Sequence, residues 1–451
     1  MSLTCSLMTR RSFLATGAFA VGLTLQHAPS VLAQPSPAPA TSPVGPMVGH
    51  VDEHTAYLWF RPGKAIKTRL IVLAGSDRQV FDQTLLADVN NDFCITWRVD
   101  KLTPDTSYRY RIMDGAQVLV DHPGCVFRTA PVSSQPARVA LAIGSCASST
   151  EFPDMWRRMA IEGCDAVVLG GDTPYIDSSK IDVNRAKHRQ FLAQPGLSEL
   201  ITSHPVWATW DDHDFGRNDS DGSNVDRDTI RKVFTEYRAL ASFGNGKQGI
   251  YTSFRLGPVE LFLIDARYFS QTEPSPVAPD QKTLLGKDQW NWLRAALKAS
   301  DAPFKILMTG MVWHNKPNKE KDKWTSYMAE RDALFAFLGK EKITGVILIG
   351  GDIHVSCLLK YDTAAQVGYP LHEFVSSPLH QRILPDLTPS KEPGLVWAQA
   401  KPNVFLRVVA DSTLTPASLT ATWIQRDGTR LHEITLATTQ LASPVPDASN
   451  P

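Results

Sequence analysis

The sequence predicts an α/β chain in two parts, a β-sandwich followed by an α/β domain that carries a site at its strand ends. Two observations predict it. Over residues 47–129 short apolar–polar alternations recur between turn signals such as Arg61-Pro62-Gly63 and Asp114-Gly115, the pattern of a sandwich. Over residues 138–375 apolar runs alternate with helical periodicity, and six of those runs stop abruptly at metal- or phosphate-binding residue types. In order, the runs lead into Gly144-Ser145-Cys146, then Gly170-Gly171-Asp172-Thr173-Pro174-Tyr175, then Asp211-Asp212-His213-Asp214. The remaining three lead into Asp265-Ala266-Arg267, Thr309-Gly310 and Gly350-Gly351-Asp352-Ile353-His354. Ligands bind at the carboxyl ends of such strands, so Cys, Tyr, Asp and His gathered at one sheet edge predict a metal site.

The elements follow in order. Residues 1–33 carry Thr9-Arg10-Arg11-Ser12-Phe13-Leu14, a small apolar stretch over 15–25, and Val31-Leu32-Ala33 before Gln34. This resembles a twin-arginine export signal, which implies the twin-arginine machinery as a partner and a periplasmic or extracellular destination. The apolar run is shorter than the ~20 residues that cross a bilayer, so no stable membrane insertion is expected. Residues 34–46 are a Pro/Ala-rich linker, and 47–130 the sandwich, with strands read over 56–60, 69–73 and 108–112. Residues 102–110 look like the fibronectin type III turn that enters a tyrosine-bearing strand. A second linker spans 131–136. Residues 137–440 form the α/β domain, with helices over 154–162, 227–243, 286–299 and 328–338. Polar loops at 271–282 and 314–326 are long enough to edge a cleft. A strand at 406–410 and a hairpin turning at Asp427-Gly428 complete the sheets, and 441–451 is a flexible tail.

Composition excludes little and excludes it cleanly. With 43% hydrophobic residues, 20% charged residues and a formal net charge of +0, the chain has no bulk attraction for long nucleic acid or anionic membrane. Beyond Cys5, an odd number of cysteines leaves at least one unpaired, and Cys146 is the choice for it. Cys94 and Cys125 share the sandwich and either pair or stay free. Cys164 and Cys357 flank apolar runs and read as buried thiols.

The strand ends carry the chemistry. Cys146, Asp172, Tyr175 and His354 offer thiolate, carboxylate, phenolate and imidazole, a set that suits Fe(III) better than Mg²⁺ or Ca²⁺. Asp172, Asp212 and Asp352 are all oxygen ligands and suit Ca²⁺, Mg²⁺ or Mn²⁺. Taken singly, Gly-Asp after a strand is common, and Gly144-Ser145-Cys146 also reads as a phosphate-cradling turn or plain strand punctuation. Three carboxylates around His213 repel one another unless cations neutralise them; the plain alternative is a helix cap.

Taken together, GlySerCys, GlyAspThrProTyr, TrpAspAspHisAsp followed by Phe215-Gly216-Arg217-Asn218-Asp219, and GlyAspIleHis resemble the alkaline phosphatase D (PhoD-like) family of the calcineurin-like metallophosphatases. Leu285-Gly286-Lys287-Asp288-Gln289-Trp290 is a further family-like stretch, read as a helix start. The resemblance implies a fibronectin/Ig-like sandwich before a four-layer α/β/β/α metallophosphatase domain. It implies hydrolysis of small phosphoesters, monoester or diester, by a metal-activated hydroxide at a centre of Fe³⁺ with one or two Ca²⁺. Carried over, Cys146, Asp172, Tyr175 and His354 hold iron, and Asp172, Asp212, Asp352 and Asn218 hold calcium. The superfamily histidine expected after Met308 is replaced by Thr309-Gly310, which argues against Zn²⁺ and for a harder cation; Mg²⁺ and Mn²⁺ are the alternatives.

His213 is then the candidate to protonate the leaving oxygen, or else it steadies Asp212. Arg217 and Arg267 are candidates to grip phosphate oxygens, or else they form structural ion pairs. His314 reads as a surface histidine or else lines the cleft, and His188, His204, His372 and His380 receive no role. Competing readings are a phospholipase D-type diesterase with the same centre, a Cys146 nucleophile with His213 as base, and an adhesion module with structural metals.

Overall fold

The computed structural model describes residues 40–148, 153–380 and 382–444. The export signal read over 1–33 lies outside the described residues, as do 34–39 of the linker and 445–451 of the tail.

The first strand, Val44–Val51, begins within the stretch read as linker and pairs with Ala56–Arg61, which pairs in turn with Ile95–Val99. A second sheet sets Lys67–Ala74 between Arg78–Leu86 and Ser107–Asp114, with Gln117–Val120 and Val126–Arg128 also on Ser107–Asp114. Successive strand residues face opposite ways, so Leu58 and Phe60 meet Leu70, Val72, Tyr110 and Ile112 in one core between the sheets. The Tyr108 hydroxyl accepts the Thr103 N–H at 2.8 Å, tying the entering turn to its strand. Cys94 and Cys125 are both free thiols.

The sandwich docks on the α/β part through specific contacts. Trp59 Nε1 donates to Glu236 O at 2.8 Å, Tyr110 Oη to Thr202 O at 2.7 Å, and His50 N to Ala239 O at 2.7 Å. This contact corrects the helix read over 227–243. The helix is Arg227–Glu236, because the next residues turn against the sandwich, where Ala239 offers its carbonyl to His50 and Tyr237 bonds Asp92. Helical periodicity persists in the sequence, but tertiary bonding captures the backbone.

The six apolar runs divide between two sheets rather than sharing one edge. Val206–Thr209, Ala166–Gly170 and Arg138–Gly144 run parallel and continue through Val404–Asp411, Ser418–Gln425 and Arg430–Ala437. Val259–Leu263, Phe304–Met308 and Val346–Gly350 run parallel in a second sheet, with His372–Val375, Ser356–Lys360 and Leu395–Gln399 on one side and Thr252–Leu256 on the other. Alternation explains the layering: Leu141, Ile143 and Val168 face the second sheet, while Ala142, Val167 and Leu169 face outer helices. Helices Pro153–Ile161, Ile181–Leu192 and Leu197–Ser203 cover the first sheet. Gly286–Ala299 and Met328–Lys340 cover the second, giving four layers, α/β/β/α. The helices at 181–192 and 197–203 and the strands at 356–360 and 372–375 carry no clear period and escape a sequence reading. No helix among the described residues is long and apolar enough to cross a membrane.

Candidate metal centre

Both sheets deliver their parallel strand ends to the same place. After Gly144 the chain turns so that Cys146 takes φ 57°, and Asp172, Asp352 and His354 take φ 52°, 67° and 52°. Left-handed backbone at four non-glycine residues costs on the order of 1–3 kcal/mol each, and such strain collects at functional sites. It aims the side chains inward. The Cys146 thiol lies 3.6 Å from Asp172 Oδ2, and Tyr175 Oη lies 2.7 Å from His354 Nε2. Ligand atoms of Cys146, Asp172 and His354 fall within 4.8 Å of one another. Ser377 Oγ donates to the thiol at 3.2 Å, and the thiol is fully buried.

Asp172 also faces a second set of carboxylates. Asp172, Asp212 and His213 form one further group with metal-ligand spacing, and Asp211, Asp212 and Asp352 another. A fourth joins Asp212, Asp219 and Asp322. Burial and the charges of Asp212, Asp211, Asp214 and Asp352 push the Asp172 carboxyl well above its ordinary range. Buried Asp211 Oδ2 and His354 Nδ1 have no hydrogen-bond partner among the described residues. Burial and the Asp172 charge likewise hold Cys146 as a thiol. These are groups whose charge and lone pairs a cation would satisfy, so the residues fit a metal site.

The surrounding shell is rigid. Asp214 accepts the backbone N–H groups of Asp172, Thr173 (3.1 Å) and Asp211 (3.0 Å), so it fastens two ligand loops together. Glycine at 310 is required by packing: a Cβ there would stand 2.5 Å from the Asp211 carboxyl carbon. A side chain at 310 would therefore displace Asp211.

The catalytic candidates separate. His213 Nδ1 bonds Asp177 Oδ1 at 2.5 Å, and its ring lies 4.5 Å from that of Tyr175. Burial pulls its pKa down, but the Asp177 bond and the Asp212 and Asp211 charges outweigh burial and raise it to about 9. Arg217 and Asn218 are exposed and line a cleft of about 500 Å³ with Asp177, Lys180 and Asp219. Arg267 is 2% exposed, and its Nε donates to Asp211 Oδ1 at 2.7 Å, with Asp322 at 3.5 Å. That guanidinium is paired with carboxylates, the structural ion pair that was the alternative to a phosphate grip, and it also lines a second cleft. This second cleft of about 540 Å³ shares Asp219 and is edged by Gln271 and Lys319–Asp322, from the two loops read as cleft borders.

Several residues were missed. Asp219 stands in the Phe215–Asp219 motif without an assigned role, and Asp322 lies in the polar 314–326 loop read only as a cleft border. His380, given no role, stacks on Tyr175 with ring centroids 5.3 Å apart and lies 4.8 Å from His354. His314 is fully buried, not at the surface; its Nδ1 meets Glu373 Oε2 at 3.0 Å. The Cys146 nucleophile reading loses its geometry, since the thiol is buried, held protonated, and contacts Asp172 and Ser377.

The model of the PhoD-like phosphatase family matches residues 141–421, which span every candidate ligand described above. The chain belongs to the PhoD-like phosphatase family. It is 23% identical over 309 residues to alkaline phosphatase D of Bacillus subtilis (strain 168), covering 57% of this chain and 52% of that protein. The chain thus spans about half the length of that curated relative. The fold resembles a solved structure of PhoD with a TM-score of 0.71 at 18% identity, covering 88% of this chain and 94% of that one. It also resembles the purple acid phosphatase PPD1 from yellow lupin (Lupinus luteus) seeds, with a TM-score of 0.66 at 13% identity over 88% and 74% of the two chains. Both likenesses concern the shared fold, and in this PhoD-like chain the described strand ends and their following loops carry the metal-spaced groups.

Proposed function

We propose that this PhoD-like chain is an exported, metal-dependent phosphoester hydrolase of the alkaline phosphatase or phosphodiesterase type, acting on small phosphoesters. The observation that carries the reading is the position of Asp172, within ligand distance of Cys146 and His354 on one side and of Asp212 on the other. A carboxylate so placed would serve a thiolate, phenolate and imidazole set on one side and carboxylates on the other, and two ions held there would supply two-metal hydrolase chemistry. Cys146, Asp172, Tyr175 and His354 would hold ferric iron by donor chemistry, and Asp172, Asp212 and Asp352 a hard cation, calcium first. Mg²⁺, Mn²⁺ and Zn²⁺ are the alternatives at the second position. Bound ions would polarise the phosphoryl oxygens and activate the attacking water.

The chain's own residues supply the rest. Asp177 fixes His213 through Nδ1, which leaves Nε2 as the nitrogen able to hand a proton to the leaving oxygen. Bound cations would lower its pKa from the elevated value toward the working range. Arg217, exposed on the cleft wall, is free to meet a non-bridging phosphate oxygen, and Lys180 widens that positive edge. Arg267 acts through Asp211 as a positioning residue. Asn218 stays a candidate calcium ligand. The export reading rests on the Arg10-Arg11 signal alone.

Two measurements test this. Release of phosphate or p-nitrophenol from p-nitrophenyl phosphate and its bis-ester should fall about 100-fold after chelation and return with iron plus calcium; turnover untouched by chelation would sink the proposal. His213→Ala should lower kcat about 10²-fold at unchanged metal content; an unchanged kcat would confine His213 to supporting Asp212.

A further inference from the structure

The carboxylates around Asp212 outnumber what one divalent cation neutralises, and the chain supplies a cation of its own. Lys316 is 2% exposed, and a lysine is almost never so buried unless paired. Its ammonium lies 2.5 Å from Asp352 Oδ2, 2.6 Å from Asp322 Oδ1 and 3.2 Å from Glu320 Oε2. The other Asp322 oxygen lies 3.5 Å from Arg267. Both oxygens of Asp322 therefore face fixed positive charge. Asp212 is drawn in as well: its Oδ2 accepts the Asp219 N–H at 2.7 Å, and its Oδ1 lies 3.9 Å from Arg267. Among the described residues, the group Asp212–Asp219–Asp322 has Lys316 on Asp322 and Arg267 facing Asp212 and Asp322, while the same two cations also meet Asp352 and Asp211 of the neighbouring group.

We propose that the Lys316 ammonium, paired with Asp322 and Asp352, is a built-in cation that stands in for a second hard ion beside the Asp212–Asp219–Asp322 group, so that the centre takes one hard divalent ion beside its transition metal and not two. This rests on the two-metal reading above. An ammonium brings three donors and a single charge and presents no open coordination position. It thus neutralises Asp322 and one oxygen of Asp352 without adding a water-bearing ion on the cleft side. Metal stoichiometry in this chain is then set by a residue of the 314–326 loop, which also edges the cleft at Asp322.

Elemental analysis of the full-length protein, dialysed against calcium-containing buffer, tests this by counting. The wild type should hold about one iron and about one calcium per chain. Lys316→Gln should hold about two calcium ions, and its thermal midpoint should become calcium-dependent. Asp322→Asn should keep the wild-type count, because that carboxylate holds a lysine and not an ion. Two calcium ions in the wild type, one in a folded Lys316→Gln protein, or a lost ion in Asp322→Asn would each overturn the proposal. If Lys316→Gln fails to fold at every calcium concentration, the wild-type and Asp322→Asn counts decide alone. A wild type without iron or calcium would instead bring down the two-metal reading, and the two failures are told apart by that result.

Discussion

Asp172→Asn should reduce phosphoester turnover by at least about 10³-fold and strip most of the metal from the protein. Removing a single preorganised electrostatic donor costs an enzyme about 10²–10³-fold, and this carboxylate serves both halves of the proposed centre. Its ligand atoms lie within 4.8 Å of Cys146 and His354 and, in another group, of Asp212 and His213. An amide keeps the size and one acceptor oxygen but cannot neutralise a cation. The protein should remain folded, because burial and the charges of Asp212, Asp211, Asp214 and Asp352 make Asp172 an unfavourable anion in the metal-free chain. Metal content, thermal midpoint and turnover measured on one preparation check this. A variant with full metal content and near wild-type turnover would remove Asp172 from the centre.

Arg267→Met should destabilise the fold by about 3–5 kcal/mol, because it leaves Asp211 buried without its counter-charge. Arg267 and Asp211 are 2% and 1% exposed, and the same guanidinium reaches Asp212 at 3.9 Å and Asp322 at 3.5 Å. A loss of that size lowers the thermal midpoint by roughly 10 °C in a domain of this length. Arg267→Lys should recover only part of it, since one ammonium cannot reproduce the fork that addresses Asp211 through both Nε and Nη2. The competing role, a grip on substrate phosphate, predicts the reverse pattern: a raised KM with an unmoved thermal midpoint. Differential scanning calorimetry beside steady-state kinetics separates the two.

Much of this molecule is legible from periodicity. The helix read over 286–299 is Gly286–Ala299, and the apolar runs before Gly144, Gly170, Asp211, Asp265, Thr309 and Gly350 are all strands or strand ends. Buried strands must be continuous apolar runs, and their ends must change character, so the ligand loops announce themselves. The loop residues do not. Asp322 and Lys316 sit among Lys319, Glu320, Lys321 and Lys323, and local sequence offers no sign that two of these charges are buried while their neighbours are solvated. His314 and His380 are misread for the same reason: a histidine's surroundings come from distant segments, here Glu373 for one and Tyr175 with His354 for the other.

The sequence by itself determined the two-part α/β architecture, the strand ends that carry the ligands, and the family, because these follow from residue type and local spacing. Only the tertiary structure decided that the six strands split between two facing sheets, since pairing partners lie far apart in the chain. It alone committed Arg267 to Asp211 and brought Lys316 to Asp322 and Asp352, because the pairing of buried charges depends on which chain segments the fold brings together.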